Sequence, residues 1–175
     1  NGEIRVIGGK QLQRLSVVGQ KGFISNANLL PLNSFVKAND ILVQNIVAHI
    51  ANPIDHIKII GVVVNDELTS KIVILDTVNR LTNISNLSSK YLLSLLHSKL
   101  INWYVYRFIF AKAIRTMHFD APVTNKIPIK VIDFENINQR TLHDKIVSSF
   151  ESLIETNKQL ANARTDKDLN FYQDR

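Results

Sequence analysis

The chain of 175 residues contains no cysteine. Disulfide bonds, cysteine-ligated zinc, iron–sulfur clusters and a cysteine nucleophile are therefore excluded for this sequence. No apolar run reaches the ~18 residues that a transmembrane helix requires, so we expect no membrane partner. Residues 1–5 show neither an initiator methionine nor a signal-peptide pattern. We expect the chain to be an internal piece of a longer protein.

Signatures of an active site are also scarce. The five histidines form no H-x-x-x-H pair. The glycines at 8 and 9 precede Lys10 without the spacing of a phosphate-binding P-loop, and no G-x-S-x-G elbow is present. No glycine-rich loop suits S-adenosylmethionine or a dinucleotide. We therefore expect this chain to be noncatalytic, with no catalytic residue, metal or cofactor of its own.

One catalytic alternative stays open. Asp55, Asp66, Glu67 and Lys71 could form the carboxylate and lysine set of a small Mg²⁺-dependent nuclease. The usual E-x-K pair is absent, and the same residues are typical of polar turns.

The charge of the chain is more informative than its motifs. Hydrophobic residues make up 45% and charged residues 21%, an ordinary globular balance, and the net charge is +6. Residues 77–130 carry eight basic residues and a single acid, Asp120, whereas residues 131–175 carry eight acids and six bases. A local basic block indicates a polyanionic partner, and nucleic acid comes first.

A basic and aromatic stretch begins at Trp103. The aromatic side chains of residues 103–110 are at helical spacing, which favours a place in the core, and the cations that follow fall in an irregular, polar segment. Such cations can reach phosphates or base edges. The candidate DNA contacts are Lys10, Gln44, Arg80, Lys99, Arg107, Lys112, Arg115, His118, Lys126 and Lys130.

Three segments predict β-strands, at residues 41–47, 57–64 and 71–75, because each is rich in β-branched residues and bounded by turn formers. The spacing of the second and third predicts an antiparallel hairpin through residues 65–70.

Two helices are predicted. The first begins near Lys90 after a serine cap, and its buried face is expected to be Leu92, Leu93, Leu96, Leu100, Tyr104 and Phe108. The second begins after Asn138 and runs to about Ala163 or beyond. Its apolar stripe, Ile146, Phe150, Leu153, Ile154 and Leu160, indicates packing on another long helix.

Six segments, in the same order along the chain, resemble motifs of TaqI-like C-terminal specificity domains. They are residues 39–44 (NDILVQ), 75–78 (LDTV), 91–104 (YLLSLLHSKLINWY), 127–129 (IPI), 144–147 (DKIV) and 157–166 (NKQLANARTD). The first is also similar to a strand of type I restriction specificity subunits. Two positions depart from the family: His97 replaces an asparagine, and Lys130 replaces the second proline of a P-I-P element.

The resemblance implies a target recognition domain for double-stranded DNA, cytoplasmic and bacterial, that follows an N6-adenine methyltransferase domain in the same chain. The parent protein would use S-adenosylmethionine, and Mg²⁺ if it also carries an endonuclease. The expected fold is mixed α+β, with a small, mostly antiparallel twisted sheet and packed helices at residues 1–135. A long helix at 136–175 would act as spacer, docking element or weak homodimer contact. The alternatives are the small nuclease and a helix-mediated protein-interaction module.

Overall fold

The computed structural model describes residues 4–26, 28, 30–31, 34–69 and 71–163. Its contacts divide the chain into two compact units, Asn1–Lys130 and Val131–Arg175, a few residues before the expected boundary at 135. The fold is mixed α+β, as predicted from the sequence. Ser70 and residues 164–175, which the hairpin and long-helix predictions included, lie outside the described residues. No helix in the described part is long and apolar enough to cross a membrane.

Short strands build most of the first unit. They are β1 (Ile4–Ile7), β2 (Leu12–Gln13), β3 (Ser16–Val17), β4 (Gly22–Ile24), β5 (Ile41–Gln44), β6 (Ile46–Val47), β7 (His49–Ile50), β8 (His56–Ile57), β9 (Gly61–Val63), β10 (Ile72–Ile74), β11 (Val78–Leu81) and β12 (Met117–His118). Its helices are α1 (Ser89–His97), α2 (Lys99–Tyr104) and α3 (Ala121–Thr124), with a π-helical turn at Val105–Ile109.

Two three-stranded sheets, ordered β10-β1-β4 and β11-β5-β9, carry the core. The β1–β10 pair is parallel, and the other pairs of these sheets are antiparallel. Three two-stranded ladders, β2–β3, β6–β12 and β7–β8, complete the strand pairing of the described residues. The central cluster of buried side chains is Ile7, Leu12, Val36, Leu42, Val62, Val64, Ile72 and Val78. Both sheets contribute to this cluster, so one hydrophobic core serves the unit.

The predicted hairpin between the second and third β-rich segments is wrong. Strand β9 pairs with β5, and β10 pairs with β1 in the other sheet. The connection is a helical turn, in which the N–H groups of Leu68 and Thr69 both donate to the carbonyl of Asn65. Gly61 also commits β9 to β5, because a Cβ there would stand 2.6 Å from the Leu42 carbonyl oxygen. The strands β9 and β10 are therefore buried in two different sheets, although they are neighbours along the chain.

The predicted first helix is interrupted at Ser98. Ser88 caps its start, as expected, by accepting the N–H of Lys90. Ser98 then takes an extended conformation: its N–H donates to the Leu95 carbonyl, and its hydroxyl accepts the N–H of Ile101 as the cap of α2. One serine therefore ends one helix and starts the next.

The interruption shifts the buried face by one residue. Leu100 is 70% exposed and Phe108 is 63% exposed, although both were predicted to lie in the core. Ile101 and Val105 are buried instead. The sequence pattern assumed one continuous helix, and the extended residue at Ser98 changed its phase.

Asn102 holds this interruption in place. Its side-chain oxygen accepts the N–H of Ile59 at 2.7 Å, and its amide nitrogen donates to the carbonyls of Leu96 and Ser98 at 2.8 Å each. The buried N–H of Ile59 would lose its partner without this side chain, which is costly, whereas the Ser98 carbonyl also accepts the backbone N–H of Asn102.

The second unit contains the helix α4 (Ile137–Asn162), which confirms the predicted long helix. Asn136 caps it by accepting the N–H groups of Asn138 and Gln139. The ring of Phe134 lies edge-on to His143, with centroids 5.1 Å apart. Together these contacts define the start of the helix.

We predict that His97 makes the first unit less stable in acid. Burial, and secondarily the nearby Arg14, lower the pKa of His97 from 6.5 to about 4. Between about pH 6.5 and pH 4 the unfolded chain therefore binds a proton at His97 that the folded chain does not bind. The free energy of unfolding has its highest value above about pH 6.5 and falls as the pH is lowered to about 4. The loss is about 3 kcal/mol. Urea titrations across this pH window measure it.

His97→Asn is the control for this prediction, because it removes the titrating ring. Its free energy of unfolding should change less between pH 6.5 and pH 4 than that of the original chain. Equal pH dependence in both proteins would contradict the assignment.

Candidate nucleic-acid interface

A cleft of about 510 Å³ lies where the parallel strands β1 and β10 end. Its lining is Gly8, Gly9, Lys10, Gln11, Lys21, Gln44, Ile46 and Thr77. Lys10 and Lys21 are exposed, and no carboxylate lines the cleft. The charged residues of the lining are therefore two cations, which favours an anionic ligand.

The two glycines shape the cleft without supplying donors to a ligand. The N–H of Gly8 donates to the Gln11 side chain at 3.1 Å, and the N–H of Gly9 donates to the Thr77 hydroxyl at 3.0 Å. A Cβ at Gly9 would approach the Thr77 carbonyl to 3.0 Å, so the turn needs glycine there. The positive charge of the cleft therefore comes from lysine side chains.

Gln44, predicted as a DNA contact, holds the turn instead. Its amide nitrogen donates to the carbonyls of Gly9 and Leu12, at 2.8 and 3.0 Å. Because both amide hydrogens are used, this nitrogen has none left for a base edge. The residue positions Lys10 rather than reaching outward itself.

The strand pairing extends the cleft toward the basic loop, residues 111–116, which lies between the π-helical turn and β12. His118 lies directly opposite Ile46 in the β6–β12 ladder, and Ile46 lines the cleft. Side chains directly opposite one another in an antiparallel pair share a face. The structure thus brings the predicted residues Lys10 and His118 to one surface, with Arg115 three residues before His118.

Buried hydrogen bonds anchor the end of this loop. The N–H of the fully buried Phe119 donates to the Asn45 carbonyl at 2.7 Å, and the Asn79 side chain donates to the Phe119 carbonyl at 2.7 Å. The loop at 111–116 and the strand β12 that follows it are therefore fixed at their end by Asn45 and by Asn79 of β11.

Arg80 has an internal role that the sequence analysis missed. Its guanidinium donates to the Phe35 carbonyl at 2.9 Å and lies 3.9 Å from the carboxylate of Asp40, which is buried. Asp40 also accepts the N–H of Lys37 at 2.8 Å. The contacts of Arg80 are those of a residue that compensates a buried charge, which disfavours its predicted role at DNA.

The other predicted cations lie exposed on three different segments: Lys99 and Arg107 on α2 and the π-helical turn, Lys112 and Arg115 in the following loop, and Lys126 and Lys130 after α3. The last two alternate with Ile127 and Ile129, which line an apolar notch with Leu81, Leu92 and Leu96. The lysines after α3 are therefore held at the surface by the isoleucines between them.

The sequence analysis missed two features of this surface. Lys21 was not predicted, because only the pairing of β1 with β4 brings it beside the turn at Lys10; its N–H donates to the Val6 carbonyl at 2.8 Å. Trp103 and Phe108 were predicted to lie in the core and are exposed. Ser98, a residue typical of helix caps, was the one local signal that the helix is interrupted and that these two rings are exposed.

The carboxylates of the nuclease alternative do not assemble. Asp55 contacts His49 at 2.8 Å, in the β7–β8 hairpin, whereas Asp66 and Glu67 are exposed in the turn between β9 and β10. In the part of the chain that the structure describes, no group of three or more histidine or acidic side chains could hold a metal ion.

The predicted stripe of α4 is present, with unequal exposure. Phe150 is buried, Ile146, Ile154 and Leu160 are half-buried, and Leu153 is 44% exposed. Leu153 is therefore the exposed member of the predicted stripe.

No protein-family model matches the chain, and no curated protein matches it significantly.

Proposed function

We propose that the chain is the noncatalytic, duplex-DNA-binding specificity domain of a restriction–modification protein. The observation that carries this proposal is the cleft with Lys10 and Lys21, continued past Ile46 to His118, in a chain with a net charge of +6. In this proposal the parent protein methylates adenine with S-adenosylmethionine, and the methyltransferase domain precedes this chain.

Binding divides into anchoring and reading. Lys10 and Lys21 contact phosphates, which sets the position of the domain on the duplex without selecting a sequence. Arg115 and His118 reach base edges in the major groove, because Arg115 lies on the loop that precedes β12 and His118 lies on β12 beside the cleft. Gln44 acts indirectly, by holding the turn that presents Lys10.

We predict that duplex binding weakens steeply with salt and that the lysines of the cleft account for part of this dependence. Each phosphate contact adds about 0.9 to the slope of log affinity against log salt concentration. Replacing Lys10 and Lys21 together with alanine should therefore lower the slope by about 2. Fluorescence anisotropy of a labelled duplex between about 50 and 200 mM salt measures it.

Lys71→Ala is the matched control. Lys71 is also exposed, but it precedes β10 and so lies at the opposite end of the parallel strands from the cleft. Its slope should equal that of the original chain. An affinity that does not depend on salt, or equal slopes for all three proteins, would refute the proposed interface.

A second prediction separates reading from anchoring within the basic loop. Arg115→Ala should reduce discrimination between target and non-target duplexes by about 1–3 kcal/mol, since arginine contacts two acceptors of guanine. Lys112→Ala should weaken binding to both duplexes alike. Competition titrations with two duplexes measure both effects, and a uniform loss in Arg115→Ala would assign that residue to phosphate.

A third prediction concerns partners. We propose that α4 mediates a loose homodimer through its apolar stripe, since Leu153 is exposed and the nearby Ser149 and Thr156 are small. Leu153→Asp should abolish the association in analytical ultracentrifugation and leave the first unit folded. Ser148→Asp adds the same charge at an exposed position on the opposite face of the helix from the stripe and should associate normally. Unfolding of the whole chain by Leu153→Asp would exclude this role.

A further inference from the structure

A compact group of exposed aromatic rings lies on α2 and the π-helical turn. The Phe108 ring meets Trp103 edge-on, with centroids 5.4 Å apart, and Tyr104 at 5.3 Å with planes tilted by 38°. The guanidinium of Arg107 lies 5.7 Å from the centroid of the Trp103 ring. We call Trp103, Tyr104, Arg107 and Phe108 the aromatic platform.

The platform is exposed for a structural reason. The interruption at Ser98 and the π-helical turn both change the helical phase, which places Val105 and Tyr106 in the core and the platform outside it. The segment then closes tightly: the N–H of Phe110 donates to the Val105 carbonyl and that of Lys112 to the Tyr106 carbonyl. Ala111 and Lys112 adopt left-handed backbone conformations, with φ of 50° and 59°. Single π-helical turns next to α-helices are frequent at functional sites.

The exposure is large for aromatic side chains. Trp103 is 48% exposed and Phe108 63%, and the neighbouring Leu100 is also exposed. Because the rings contact one another, they are ordered before a ligand arrives, and a stacking partner would immobilise few additional side chains.

The charge around the platform selects the kind of ligand. Lys99 precedes the platform in α2, Arg107 is part of it, Lys112 follows it, and residues 77–119 contain no acid. Phosphates suit these cations, and the flat rings suit bases. An apolar protein partner would satisfy the rings but leave the cations without compensation.

We propose that the aromatic platform binds single-stranded DNA by stacking unpaired bases on Trp103 and Phe108, with phosphates held by Lys99, Arg107 and Lys112. Aromatic side chains beside cations form the general mode of single-strand binding. This site goes beyond the proposed function, because the bases of an intact duplex stack on one another and do not offer their faces. It uses none of the residues of the cleft.

The chain provides its own probe, because Trp103 is its single tryptophan. Titration with an oligothymidylate of about 20 nucleotides, longer than most single-strand sites, should quench the emission of Trp103 and saturate. An abasic oligonucleotide of the same length carries the same phosphates without bases and should leave the emission nearly unchanged. Equal quenching by both would assign the contact to charge alone and overturn the proposal, as would the absence of quenching by oligothymidylate.

Substitution tests the same site by anisotropy of a labelled oligothymidylate. Phe108→Ala and Trp103→Ala should each weaken binding about tenfold, as expected for the loss of one stacked base. Phe23→Ala is the matched control, since Phe23 is similarly exposed, at 51%, on β4 outside the platform. Unchanged binding by Phe108→Ala, or equal losses in Phe108→Ala and Phe23→Ala, would overturn the proposal. Circular dichroism confirms that each variant is folded.

Two further titrations separate this site from the cleft. The variant lacking Lys10 and Lys21 should bind duplex DNA with a reduced salt slope and quench normally with oligothymidylate. Phe108→Ala should bind duplex normally. If the original chain does not bind duplex DNA but oligothymidylate quenches its Trp103 emission, the proposed function alone is contradicted. If the original chain binds duplex DNA but oligothymidylate does not quench this emission, the platform alone is contradicted.

Discussion

The exposure of the aromatic platform depends on the hydrogen bonds of the Asn102 side chain. This side chain accepts the N–H of Ile59, ahead of β9, and donates to the carbonyls of Leu96 and Ser98, where α1 ends. Without the amide the Ile59 N–H and the Leu96 carbonyl would lose this partner, whereas the Ser98 carbonyl would keep its bond from the backbone N–H of Asn102. The interruption between α1 and α2 is therefore a fixed part of the fold. Because it sets the phase of everything up to Phe110, it also decides which aromatic side chains reach solvent.

The same economy of polar groups builds the cleft. Four polar side chains lie on or beside β5 and β11: Gln44, Asn45, Asn79 and Arg80. Each has the donors that contact a ligand, but in the structure each donates to a backbone carbonyl elsewhere in the first unit. Strands this short leave many loop carbonyls near the core, and each needs a donor.

These arrangements explain how far the sequence could be interpreted. The long helix, the cap at Ser88 and the strand segments followed from local patterns, because capping and periodicity act within a few residues. The pairing of β9 with β5, and the role of Arg80 beside Asp40, depend on residues far apart in the chain. A one-residue change of phase at Ser98 was enough to expose Leu100, which was predicted to be buried, and to bury Ile101 instead. Periodicity assumes an unbroken helix, and a single serine can serve as both the end and the start of one.

The candidate sites differ in how deeply they depend on the fold. Lys10 needs only its turn, and that turn is held by Thr77 on one side and Gln44 on the other. The platform needs the interruption at Ser98, the π-helical turn and the left-handed closure at Lys112, each supported by its own hydrogen bonds. A segment with an irregular backbone and exposed rings is less favourable than a plain amphipathic helix that buries them. Such an arrangement persists because the surrounding packing determines it, and Ile101, Asn102 and Val105 of the same segment are buried.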